Sequence, residues 1–259
     1  MENNIPPILE FDPDTDSFLN PKKYLQSIGA KLKFPERAVL TFFNDVLEDM
    51  VGRGELEITG YLHSEIGKNP IYEFKNKQYP VMAIHAGVGA PLAGAFLEEI
   101  IALGARKVMV CGSAGTLNHN FEPGMILVPV SAIRDEGTSY HYMPPGREAK
   151  PGKRAIQAIR DTLKDSGEKY KEIKTWTTDA FYRETAKKIE ARRKEGCEAV
   201  EMEASALFAV AQFREIEIGY MLYADDYLST DSWDPRNFMD REKVRKKLFD
   251  LSLRACMRV

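Results

Sequence analysis

Cysteine is scarce. Only Cys111, Cys197 and Cys256 occur in 259 residues, widely separated and with no Cys-x-x-Cys, so a disulfide framework is excluded and a reducing, cytoplasmic setting is expected. Histidine is scarce too: His63, His85, His119 and His141 lack ligand spacing, which leaves no metal site to expect. No apolar run approaches the roughly 20 residues of a membrane span, and the first residues lack the basic and apolar regions of a signal peptide. Positive charge is not in excess. A net charge of -3 gives nucleic-acid binding no electrostatic basis, and the basic clusters at 187–194 and 241–247 are interspersed with acids, as on solvated helix faces. There is no internal repeat, linker or low-complexity tract, and no serine nucleophile elbow.

What is present is a chain 44% hydrophobic and 29% charged, long enough for one α/β domain over residues 1–259. Residues 1–30, with Pro6, Pro7, Pro13 and Pro21, read as an irregular arm that drapes over the domain or reaches a neighbour. Pro35-Glu36-Arg37 is expected to open a helix running to about Val51, with proline well placed at a first helical position. Strands are expected at 55–62, 71–74, 79–85, 107–111, 125–130, 172–177 and 218–224. Helices are expected at 92–103, 155–164 and 241–257. Strand 79–85, the turn Gly87-Val88-Gly89-Ala90-Pro91 and the following helix form a unit of a parallel sheet wound with helices.

The chain's organising stretch is Cys197 to Leu207, which starts extended and becomes a buried helix. Glu201 and Glu203 point the same way while the chain is extended, with Met202 on the other side. A carboxylate at a helix mouth is an acceptor that a vicinal diol's two donors satisfy; the same acids also serve as ordinary helix-dipole partners. The other unusual residues also follow strands: Gly87-Val88-Gly89, Gly112-Ser113-Ala114-Gly115, Thr178-Asp179 and Asp225-Asp226. Ligands of open α/β sheets bind at such ends. The first turn lacks the third glycine of a dinucleotide fingerprint.

Glu201-Met202-Glu203-Ala204 resembles the ribose-binding signature of the nucleoside phosphorylase and nucleosidase superfamily, which includes purine nucleoside phosphorylase, uridine phosphorylase and methylthioadenosine nucleosidase. The turns resemble it in order from about Pro35 to Asp226, and Arg134 to His141 is similar to an active-site loop of uridine phosphorylase. The resemblance implies a mixed, partly barrel-like central sheet surrounded by helices. It implies Glu201, Met202 and Glu203 at the sugar, and Phe181, Ser113, Ala114 and Gly115 around the nucleoside. Phosphate falls to Arg37, Gly87, Gly89 and Ser113, with Asp226, or its neighbour Asp225, protonating a leaving purine. Thr185-Ala186-Lys187 replaces the uracil-reading Gln-x-Arg, which favours purine. Two departures bear on the reaction: Lys33-Phe34-Pro35-Glu36-Arg37 stands for Gly-Asp-Pro-x-Arg, and Val110 sits where a second arginine is usual.

The expected function is phosphorolysis of a purine nucleoside to free base and ribose 1-phosphate, with phosphate as co-substrate and no cofactor. Nucleoside and phosphate are the expected small-molecule partners, and the resemblance implies a homo-oligomer, dimer or hexamer. The alternatives are hydrolysis by water and a nucleoside-binding protein without catalysis.

Overall fold

The computed structural model describes residues 5–30, 33–75, 79–236 and 239–259; the first four residues of the expected arm lie outside that set. The arm contains a short helix, α1 (Pro21–Ser27), capped by the Asn20 side chain, which accepts from the Lys22 and Lys23 amides. It lies over its own chain: Arg214 Nη1 donates to the Thr15 carbonyl while the same guanidinium pairs with Glu98.

Ala38 through Thr41 mark the first departure from the sequence reading. They are buried in β1 (Arg37–Thr41), a strand where a helix from Pro35 was expected. A parallel strand covered on both faces and a buried helical turn show the same unbroken apolar run, so periodicity does not separate them. The helix begins later, as α2 (Asn44–Gly52). An antiparallel pair follows, β2 (Leu56–Ser64) and β3 (Gly67–Phe74), and then β4 (Val81–His85), parallel to β1.

The turn after β4 needs its glycines. Gly87 and Gly89 have φ of +75° and +87°, and a Cβ on Gly87 would meet Leu92 Cγ at 2.7 Å. Helix α3 (Ala90–Ala102) starts there with Pro91 in its first turn. The remaining elements are β5 (Lys107–Thr116), β6 (Ile126–Asp135), β7 (Glu148–Ala149), α4 (Lys153–Asp165), β8 (Tyr170–Thr178), α5 (Ala186–Lys194), β9 (Cys197–Glu201), α6 (Ala204–Phe213), β10 (Glu217–Leu228), β11 (Trp233–Asp234) and α7 (Arg241–Arg258).

The mixed sheet closes on itself. Strand β5 pairs with β1 through its first half, with β10 along nearly its whole length and with β9 at Gly115 and Thr116; β10 pairs with β6, β6 with β8, and β8 with β9. The ring β5-β10-β6-β8-β9 is therefore a five-stranded barrel, with β1, β4, β3 and β2 extending from it as an open wing. One apolar layer lies under α3 and α6, the other under α2, α4 and α7. No helix among the described residues is long and apolar enough to cross a membrane.

Candidate functional site

Helix α6 is apolar but for Ser205 and Gln212 and buried from Ala204 to Ala211, so the amides of its first turn depend on side chains for partners. Glu201 supplies them. Its Oε2 accepts from the Glu203 and Ala204 amides at 2.7 and 2.6 Å, its Oε1 accepts from Thr177 Oγ1 at 2.6 Å, and Thr177 Oγ1 accepts from the Ser205 amide. Thr175 Oγ1 approaches Oε1 at 3.4 Å. Glu201 is thus a cap whose acceptor capacity is spent inside the chain, not on a ligand.

Glu203 differs. It is buried, and its carboxylate accepts from the Gly89 amide, 2.6 Å from Oε1, with the Met202 amide as a weaker second donor. Burial raises its pKa, the nearby Glu201 charge raises it further, and the Gly89 and Met202 amides oppose both. Burial likewise raises Glu201, against its four donors. The chain bends out of β9 after Glu201, so Met202 does not turn to the other side as strict alternation implied. It lines the same cavity as its two neighbours.

That cavity, about 740 Å³, lies at the carboxyl ends of β5, β9 and β10. It gathers Ser113, Ala114, Gly115, Phe181, Glu201, Met202, Glu203 and Asp226, residues that the sequence reading named. The two adjacent aspartates separate: Asp225 pairs with Arg241 at 2.8 Å, while Asp226 faces the cavity and accepts from Trp233 Nε1 at 2.6 Å. Phe181 lies half-exposed at the rim, with its ring centroid 4.1 Å from that of Tyr182.

The anion-side expectations fare differently. Arg37 opens β1, in register with Lys107 and Val81 at the starts of their strands, and so sits at the opposite end of the sheet from Ser113. Its guanidinium donates to the Cys256 carbonyl and to Glu36. At the cavity end β1 runs instead into Phe42, which lines the wall. The Gly87 amide is spent on His85 Nδ1 and the Gly89 amide on Glu203, so neither is available to an anion. Val110, in the second arginine's place, is fully buried. The loop at 134–141 does not reach the cavity either. Arg134 ties its own loop through Ser139, Met143 and Pro144, Glu136 accepts from Ser205 Oγ of α6, and His141 lines a separate cavity beneath the arm.

Phe42, Tyr220, Trp233 and Glu184 are among the cavity residues that escaped the sequence reading. The first three look like core or loop aromatics in sequence. Glu184 sits in a polar turn with no periodicity to mark it, yet burial first, and then the charge of Asp226, push its carboxyl up to about 7. The lining therefore carries four carboxyl groups, Glu184, Glu201, Glu203 and Asp226. Among the described residues that line it there is no lysine, arginine or histidine.

The sequence profile of the phosphorylase superfamily matches residues 36–256. Among characterised relatives, guanosine phosphorylase of Halorubrum lacusprofundi is 27% identical over 166 residues, covering 63% of this chain and 69% of that protein. Purine nucleoside phosphorylase DeoD-type 1 of Shewanella oneidensis is 29% identical over 182 residues, 68% and 71% of the two chains. Uridine phosphorylase of Treponema pallidum is 28% identical over 154 residues, 55% of this chain and 60% of that one. Two solved structures share the fold. Purine nucleoside phosphorylase from Toxoplasma gondii with immucillin-H superposes with a TM-score of 0.75 at 20% identity, over 87% of this chain and 92% of that one. AMP nucleosidase from Bacteroides thetaiotaomicron superposes at 0.73 and 21% identity, over 92% and 96%.

Proposed function

This chain belongs to the phosphorylase superfamily, and from that premise we propose that it cleaves the N-glycosidic bond of a nucleoside, releasing a free purine. The observation that carries the proposal is the contrast between two neighbouring acids. Glu201 is saturated by four internal donors, whereas Glu203 takes only the Gly89 and Met202 amides and opens its remaining acceptor capacity to the cavity. A ribose 2′,3′-diol offers two hydroxyl donors in a fork to such a carboxylate, and the thioether packs on the sugar face. The base then reaches toward Phe181, for stacking, and toward the Asp226 side of the cavity.

As the C1′–N bond lengthens, positive charge develops on the sugar. Acceptor oxygens fixed by the fold stabilise that charge without having to reorganise. Purine is favoured because Asp226 faces the base. Thr185 caps α5, where its Oγ1 accepts from the Lys188 amide, and it is not among the residues that line the cavity.

On the acceptor, the relatives and the cavity point in different directions. The relatives' names support phosphate. The geometry favours water: the lining is acidic, Arg37 lies at the far end of the sheet, and the Gly87 and Gly89 amides already have acceptors, which leaves Ser113 as the one expected phosphate ligand at the cavity. A phosphate dianion finds no counter-charge in this lining, and each lining carboxyl that is ionised repels it by about 4 kcal/mol at 4 Å and an effective dielectric of 20.

The deciding experiment incubates the protein with inosine, guanosine, adenosine and uridine while phosphate is titrated from zero, and identifies the sugar product. Purine release at a rate independent of phosphate, yielding free ribose, is expected from this geometry. Ribose 1-phosphate, formed at a rate that saturates with phosphate, would restore phosphorolysis. Tight nucleoside binding with no base released from any substrate would leave a binding protein.

A further inference from the structure

Two acids share the base side of the cavity, and they are held differently. Asp226 is anchored twice: Trp233 Nε1 donates to its Oδ2, and its backbone carbonyl accepts from Thr116 Oγ1. Its Oδ1 lies over Gly115, 3.2 Å from where a Cβ would stand there. Glu184 follows the 3₁₀ turn Phe181–Arg183 that carries the rim aromatics, and its side chain lines the same cavity. Its amide is bonded to the Phe181 carbonyl, but its carboxyl makes no hydrogen bond among the described residues. The charged groups facing it are Asp226 from β10 and Lys188 from α5; that lysine is itself paired with Asp135 at 3.3 Å.

We infer that Glu184 is the acid that delivers a proton to the departing base, with Asp226 holding the base in register through a fixed acceptor. This rests on the nucleoside-cleaving reading above and deepens it. The geometry divides the labour. An acid that transfers a proton in the transition state needs a carboxyl not already committed to the fold and a neighbour that disfavours its ionised form. Glu184 has both, with Asp226 as the neighbour. With its carboxyl at about 7, it carries its proton in a substantial fraction of molecules at neutral pH, near the value that makes a general acid efficient. An acid whose oxygen already accepts from an indole N–H is suited to accepting from the base, not to giving to it.

The step balances without any further reactant. The C1′–N bond breaks with its electron pair going to the base nitrogen. The Glu184 proton goes to the base, which leaves neutral, and Glu184 is left as carboxylate. The acceptor adds through oxygen to C1′ and gives up one proton, whether it is water or hydrogen phosphate, and that proton restores Glu184.

The test compares Glu184→Gln and Asp226→Asn with the unchanged protein on inosine and on p-nitrophenyl β-D-riboside, whose leaving group departs as an anion and needs no proton. Rates are followed from pH 5.5 to 9. Glu184→Gln should lower kcat/KM for inosine by about 10² to 10³ while changing the nitrophenyl riboside by less than about threefold. It should also abolish a fall in inosine rate above pH 7 that the unchanged protein shows. Asp226→Asn should raise KM for inosine and leave that alkaline fall in place. Equal losses on both substrates, or an alkaline fall that survives in Glu184→Gln, would overturn the assignment while leaving nucleoside cleavage standing. Failure of the unchanged protein to cleave inosine and the riboside alike would overturn both.

Discussion

At the scale of single residues, Glu201 and Glu203 show how two acids two positions apart come to differ. Both are buried and both have raised pKa values, but one accepts from the backbone of the helix it starts and from two threonine hydroxyls, and the other mainly from the Gly89 amide across the site. Their substitutions should therefore fail in different ways. Glu203→Ala removes the acceptor of a diol, so nucleoside affinity should fall by about tenfold to hundredfold, the size of one lost charge-assisted hydrogen bond, while the stranded Gly89 amide lowers the unfolding midpoint less than the several groups that Glu201→Ala strands. Glu201→Ala strands two amides and a threonine hydroxyl in the interior, where each unsatisfied group costs about 1 to 3 kcal/mol. Its unfolding midpoint in urea should fall clearly. Calorimetric titration with inosine beside urea melts of both variants separates the roles. A Glu201→Ala protein as stable as the original, with affinity lost, would move the sugar contact to Glu201.

Elements were legible where two signals agreed. The strand, glycine turn and helix at 81–102 had an apolar run, two glycines and a proline pointing to the same structure, and the expected bounds lie within a few residues of those found. The segment at 35–51 had apolar residues alone, and β1 with its short connection to α2 was read as one helix. That error carried Arg37 with it. Taken as the first turn of a helix, Arg37 stood at the ligand end; as the first residue of a parallel strand it stands at the other end, bonded to the last helix through the Cys256 carbonyl. Arg37→Ala should accordingly leave phosphate dependence and kcat/KM for inosine within about twofold of the original, and lower stability by about 0.5 to 1.5 kcal/mol for the lost hydrogen bonds. Steady-state rates across a phosphate series check this; a strongly raised phosphate requirement would bring Arg37 back to the site. Asp226 was legible through the resemblance, with Asp225 as the open alternative, because the pair follows the apolar run of β10. Glu184 was not, because its importance comes from Asp226, more than forty residues later, and no local pattern encodes a contact between chain segments.

The whole molecule sets the charge of the site by closing its sheet. The pairing of Leu222 and Tyr223 with Leu127 and Ile126 joins β10 to β6, and the resulting barrel brings the ends of β5, β9 and β10 around one cavity with the turn that follows β8. Acids far apart in the chain are buried together there. Another lies outside the site: Glu99, on α3 under the arm, is pushed up to about 7 by burial, with its Oε2 buried and without a hydrogen-bond partner among the described residues. Linkage then gives the sign of the pH dependence. A carboxyl that holds its proton to about 7 when folded and to about 4.5 when unfolded contributes stability that is complete below about 4.5 and is lost as pH rises through about 7. Surface acids such as Glu172, held low by its hydrogen bond to Arg160, work the other way, but their stabilisation is present above the ordinary carboxylate range and changes little between pH 5.5 and 8. The protein should therefore have a lower urea midpoint at pH 8 than at pH 5.5. Glu99→Gln combined with Glu184→Gln, which keeps the shapes and removes both titrating groups, should make that slope shallower, chiefly by raising the midpoint at pH 8, with the remainder left to Glu201 and Glu203. Parallel slopes in the two proteins would show that these carboxyls ionise in the folded state as freely as they do unfolded, and that the barrel and the arm do not desolvate them.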